Sequence, residues 1–190
     1  MLSSSLFGMK HNKTPFTIYQ ACEGGHTSTL TEFIRNKADL NKYSPTGKSP
    51  LGIAIENRQA NIVKLLIDAK VDVNLPSHYR WIFSLTPLQI AMSMPNKKII
   101  QMLLTANANT HLKEPTDGFT ALHIAVTYFL PSQDLSDPNG FDPECFKTLL
   151  LHEELDPNVA DSKSEGTPFW WACRSGNLDA VKMLLDCPNL

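Results

Sequence analysis

Apolar and polar positions recur along this chain as a compound unit. A short apolar stretch is followed by a polar break and then by a longer Leu/Ile/Val-rich run, and the sequence repeats from residue 16 onward. The longer run carries apolar residues at helical spacing, as in Ile62, Leu65, Leu66 and then Ala69. The short stretch opens on Thr or Ser followed by Pro in its best copies. Thr or Ser can accept a hydrogen bond from an unpaired first-turn amide, and Pro at the first helical position sacrifices no bond. The pattern predicts a short first helix near 50–57 or 87–94, broken by Gly25, Gly176 or Pro95 in their units, and then a second helix. Two such helices cannot bury their apolar faces alone, so the units must lean on their neighbours.

The opening phrase is legible five times. It reads Ser49-Pro50-Leu51-Gly52-Ile53-Ala54, Thr86-Pro87-Leu88-Gln89-Ile90-Ala91, Thr120-Ala121-Leu122-His123-Ile124-Ala125 and Thr167-Pro168-Phe169-Trp170-Trp171-Ala172, with a weaker copy at Phe16-Thr17-Ile18-Tyr19-Gln20-Ala21. Phe16 to Ser49 is 33 residues and Thr86 to Thr120 is 34, while the gaps of 37 and 47 become regular once loop insertions are removed. Each second run leads to a turn such as Ala38-Asp39-Leu40-Asn41, Val71-Asp72-Val73-Asn74, Ala108-Asn109-Thr110-His111 or Leu155-Asp156-Pro157-Asn158. The phrase resembles the ankyrin repeat, with its period of about 33 and its T-P-L-H-x-A signature. The resemblance implies an all-α solenoid of helix-turn-helix units joined by hairpin fingers. The units fall at about 16–48, 49–85, 86–119, 120–166 and 167–190, after an N-terminal extension or cap at 1–15. Gly47 and Gly118 stand where the fingers turn and suit a left-handed conformation. The fifth unit stops before its closing turn, which implies continuation beyond 190 or a covering segment or chain over its last face.

Three departures from the pattern bear on function. The finger 75–85 is four residues longer than the regular spacing and carries Tyr79, Arg80, Trp81, Ile82 and Phe83. Tyr, Trp and Arg are enriched among binding hot spots; a local cover over the stack explains the same rings equally well. In ankyrin-like units the variable exposed positions are the finger tip and the last turn of the first helix. In this chain they give Lys48 and Glu56, then Ile82, Phe83, Leu85 and Met94, then Phe119 and Tyr128, then Arg174. The expected surface is apolar in the middle and charged at its ends, the layout of an interface. The connection 129–143, about 13 residues longer than usual and rich in Pro, Asp and Ser, predicts a loop and reads as a tolerated insertion. Its acidic run fails as a calcium loop, because Pro138 and Cys145 stand where ligands are required.

Composition narrows the function further. A net charge of −2 without any Lys/Arg cluster leaves no electrostatic footprint for nucleic acid. No apolar run nears the length of about 20 that spans a bilayer, so no membrane insertion is expected. Cys22, Cys145, Cys173 and Cys187 are too sparse for a disulfide framework, which predicts a reducing, cytoplasmic compartment. Catalytic, metal and cofactor motifs are missing, so no cofactor and no enzyme is expected. His123 occupies the motif His position and is expected to bond backbone between fingers. The expected function is recognition of a protein partner through the concave face. The alternatives are a targeting arm of a larger enzyme and a purely architectural stack.

Overall fold

The computed structural model describes residues 16–79, 83–127 and 143–187. Five helix pairs follow one another: α1 Ile18–Gly24 with α2 Thr27–Arg35, α3 Pro50–Glu56 with α4 Ala60–Asp68, α5 Pro87–Ser93 with α6 Lys97–Thr105, α7 Ala121–Thr127 with α8 Pro143–Leu150, and α9 Pro168–Ser175 with α10 Leu178–Leu185. A two-stranded hairpin, β1 Ser77–Tyr79 and β2 Phe83–Leu85, forms the long finger before α5. The first helices pack in succession, α1 on α3 on α5 on α7 on α9, and the second helices α2, α4, α6 and α8 form a parallel row behind them. The all-α solenoid expected from the repeats is therefore the fold of the described chain, with the hairpin as its strand element.

The caps explain where the first helices start. Thr86, Ser49 and Thr167 accept from the amides of Gln89, Gly52 and Trp170, each followed by Pro at the first position. In the first unit Phe16 cannot cap, so the start moves one residue on. Thr17 takes the role and forms a reciprocal capping box with Gln20. The second helices end alike. Lys37, Lys70 and Asn107 adopt φ of 56°, 64° and 61°, a left-handed turn that closes α2, α4 and α6. Gly47 and Gly118 are left-handed at φ 75° and 80°, as the finger turns require.

One continuous core runs through the stack. Leu30, Ile62, Leu66, Ile99, Ile100, Leu103, Phe146 and Leu149 seal the second row, while Ala54, Ala91, Ala125 and Ala172 allow the first helices to approach closely. Polar residues then stitch unit to unit. Asn41 Oδ1 accepts the Asp72 amide at 3.0 Å, and Asn74 Oδ1 accepts the Asn109 amide at 2.8 Å. Within the turns, Asp39, Asp72, Asn109 and Asp156 each accept from the amide two residues on.

The fourth position of each opening phrase faces the next finger, and the chain fills it in different ways. Tyr19 donates its hydroxyl to the Tyr43 carbonyl at 2.8 Å. Gln89 Nε2 donates to the Leu112 and Phe119 carbonyls at 2.8 and 2.9 Å. His123 Nε2 bonds the Gly166 carbonyl at 3.0 Å. Gly52 reverses the arrangement: its missing side chain admits Ser77 Oγ, which accepts the Ser49 amide at 3.1 Å. Trp170 occupies the same position in the fifth unit and is 42% exposed.

Candidate binding groove

The candidate face comprises the last turns of the first helices and the fingers that precede them. Seven residues after each unit opens stand Glu23, Glu56, Ser93, Thr127 and Arg174. Packing of the first helices in series places these side chains in one row. At the first two units Tyr19, Glu23, Thr46, Lys48, Glu56 and His78 enclose a cleft of about 560 Å³. Lys48 Nζ meets Glu56 Oε2 at 2.6 Å, so these two expected rim charges form one pair linking finger to helix.

Further along, the floor becomes apolar and aromatic. Met94 and Phe119 are half-buried against the core. Phe119 stacks on His123 at 5.3 Å between centroids and meets Trp171 edge-on at 5.1 Å. Arg174 is exposed and lies 5.1 Å from the Trp170 ring centre and 5.9 Å from that of Trp171.

Two of the expected anchors are corrected. Tyr79 is 3% exposed and Leu85 is 2% exposed, so neither offers its side chain to a partner. The reason is strand alternation. Register pairs Ser77 with Leu85 and Tyr79 with Phe83, and Ser77 and Tyr79 turn inward while His78 turns out. Tyr79 covers the stack, which is the alternative reading of the finger for that one residue. Arg80, Trp81, Ile82, Tyr128 and the side chain of Phe83 lie outside the described residues, as does most of the 129–143 connection. In the fifth unit Leu184 is fully buried, while Trp170, Leu178 and Leu185 are exposed large apolar residues. Two further residues border the candidate face without having been expected there. Trp171 sits where other units carry Ile53, Ile90 and Ile124, and Glu23 could have been found from its spacing to Phe16.

Two buried carboxylates hold the fingers rigid. Glu114 accepts from the amides of Thr116, Asp117 and Phe119 at 2.7, 2.7 and 3.1 Å. Burial alone would raise its pKa, but these donors outweigh it and leave the carboxyl below its ordinary value. Asp161 does the same in the next finger, accepting from the amides of Lys163, Ser164 and Gly166 and from the Trp171 indole. Against the upward push of burial, those donors hold it far below the usual carboxylate range. Lys163 pairs with Asp117 at 2.9 Å across these two fingers.

His123 is wholly buried and structural. The Thr120 amide can only donate, so Nδ1 is the acceptor and Nε2 carries the proton that reaches Gly166. Burial lowers its pKa despite the opposing effect of the Gly166 carbonyl. Both ring nitrogens are committed to backbone, as expected for the motif His.

Comparison with known proteins agrees with this architecture. A family model described as "Ankyrin repeats (3 copies)" matches residues 4–77, and one described as "Ankyrin repeat" matches residues 165–189. The chain belongs to the ankyrin repeat family, whose members generally serve as protein–protein interaction modules on a typically non-catalytic fold. It is 27% identical to "Probable E3 ubiquitin-protein ligase XBOS32" of Oryza sativa subsp. japonica, over 89% of this chain and 37% of that protein. It is 25% identical to "Putative ankyrin repeat protein FPV031" of Fowlpox virus, over 76% of this chain and 49% of that protein. Rabankyrin-5 of Homo sapiens is 25% identical over 93% of this chain and 14% of its own length. The chain thus spans less than half the length of each. Among the described residues, no helix is long and apolar enough to cross a membrane.

Proposed function

We propose that this chain is a recognition module that seats a protein partner in the concave groove and against the fingers of its second to fifth units. One observation supports the reading above others. Met94, Phe119 and Trp171 remain partly open along the groove floor, flanked by the Lys48–Glu56 pair at one end and Arg174 at the other. An apolar centre with charged margins is the anatomy of an interface. The carboxylates of Glu114 and Asp161 rigidify the fingers, so little conformational entropy is lost on docking. Cysteines too few and too widely spaced for a disulfide framework support a reducing, cytoplasmic setting.

The test compares capture by the intact chain with capture by a Trp81→Ala/Phe83→Ala/Phe119→Ala variant. A partner lost only from the variant identifies both ligand and site. With that partner in hand, Phe119→Ala and Tyr128→Ala should each weaken binding by about 1–2 kcal/mol or more. Unchanged affinity in both would refute this placement, provided thermal melts show the variants folded.

A second reading has its own support. The chain matches 37% of a protein named as a probable E3 ubiquitin ligase. A targeting arm that brings a substrate to a catalytic domain elsewhere would use the same groove.

A further inference from the structure

We infer that the groove's occupant is a polypeptide segment of about a dozen residues with separated charge: basic where it crosses the first two units, acidic where it crosses the fifth. This rests on the groove reading above and specifies the chemistry of the partner.

The row of equivalent positions carries a gradient. It runs Glu23, Glu56, Ser93, Thr127, Arg174. The two central hydroxyls are turned to their own helices, Ser93 Oγ donating to the Ile90 carbonyl and Thr127 Oγ1 to the His123 carbonyl, both at 2.8 Å. Among the described residues they leave the middle of the row without a charged side chain, beside the partly exposed Met94 and Phe119. At the first end Glu23 and Glu56 share one cleft with a single ammonium, Lys48. Lys48 is committed to Glu56 Oε2, Glu56 Oε1 is buried and accepts no hydrogen bond from a described residue, and exposed Glu23 has no ion-pair partner among the described residues. The local balance is therefore negative.

The far end is the reverse. Arg174 forms no ion pair with a described residue. Trp170 and Trp171 hold its guanidinium over their rings, which leaves N–H groups at its edge for a planar carboxylate. Of the carboxylates in the last two fingers, Asp161 is consumed by its own finger, Asp117 is paired with Lys163, and exposed Glu165 makes no ion pair with Arg174. The gradient disfavours a polyanion, which the first end would repel.

Length follows from geometry. Packed helices lie about 10 Å apart, so the ends of a five-helix row are about 40 Å apart. An extended chain advances about 3.3 Å per residue, so about 12 residues connect the two ends.

The probe is a random 16-residue peptide library displayed on phage and panned against the intact chain. Selected peptides should carry Lys or Arg near one end and Asp or Glu near the other. Glu23→Gln and Arg174→Gln, both at exposed side chains, should each weaken such a peptide about fivefold or more. The double swap Glu23→Lys/Arg174→Glu should prefer a peptide with the two charged ends exchanged. Ser93→Tyr, which plugs the middle of the row, reports on the groove itself. Peptides blocked by Ser93→Tyr but without charge bias, or indifferent to Glu23→Gln and Arg174→Gln, overturn this inference and leave the groove reading standing. No binder, or binders indifferent to Ser93→Tyr, overturns both.

Discussion

The indole Nε1 of Trp171 donates to Asp161 Oδ2 at 2.8 Å, tying the first helix of the fifth unit to the finger that leads into it. The same carboxylate also takes three backbone amides, so removing it strands several buried donors at once. Asp161→Ala is expected to cost about 3 kcal/mol or more in urea unfolding, whereas Trp171→Phe, which deletes one donor, should cost about 1 kcal/mol. The sign with pH is fixed by the depressed native pKa. The contribution is complete above the unfolded value of about 3.9 and is lost as pH falls through the lower native value. Asp161→Ala should therefore unfold with a shallower pH dependence below about pH 4. Equal acid profiles for the two proteins would count against this account.

His123 offers a pH test in a higher window. Its native pKa is depressed, chiefly by burial, so the unfolded chain binds the proton first. Stability from this site is complete above the unfolded value of about 6.5 and declines as pH falls toward the native one. The chain supplies its own replacement. Gln89, at the matching position, accepts from the Thr86 amide and donates to the next finger. His123→Gln should change stability by less than about 1 kcal/mol at pH 7.5 and remove the slope below pH 6.5, while His123→Ala should cost about 2–3 kcal/mol. Chemical denaturation across pH 5–7.5 decides it.

Gly52 is required by a neighbour rather than by its backbone. A Cβ there would lie 2.3 Å from Ser77 Oγ and 2.6 Å from Ser77 Cβ, and Ser77 is fully buried. Gly52→Ala should cost about 1–3 kcal/mol through overpacking. Adding Ser77→Gly removes both atoms, so the double variant should be more stable than the sum of the single effects. Strict additivity would show that the contact is not the cause.

Lys70 closes α4 at φ 64°, where glycine has no steric penalty. Lys70→Gly is expected to raise stability by about 0.5–1 kcal/mol, and Lys37→Gly similarly, since the left-handed strain exceeds the entropy that glycine adds to the unfolded chain. A thermal melt that falls instead would locate the dominant effect in the unfolded state.

The distribution of legible and hidden features follows from what periodicity encodes. Local rules were enough for the helix pairs, because a Thr-Pro start, an apolar run at helical spacing and an Asx turn act within a few residues of each other. They were enough for His123 too, since its role depends on its place in the phrase. They misplaced Tyr79 and Leu85. Aromatic content marked the finger, but which strand face turns inward is set by pairing between Ser77–Tyr79 and Phe83–Leu85 and by the stack beneath. The sequence by itself determined the unit, its order and the family, because each unit repeats the same local chemistry. Only the tertiary structure decided that Lys48 spends its charge on Glu56, that Trp171 meets Phe119 edge-on, and that Glu23 and Arg174 stand on the first and last helices of one row. Those relations join residues from different units, and it is the packing of one helix pair on the next that brings them together.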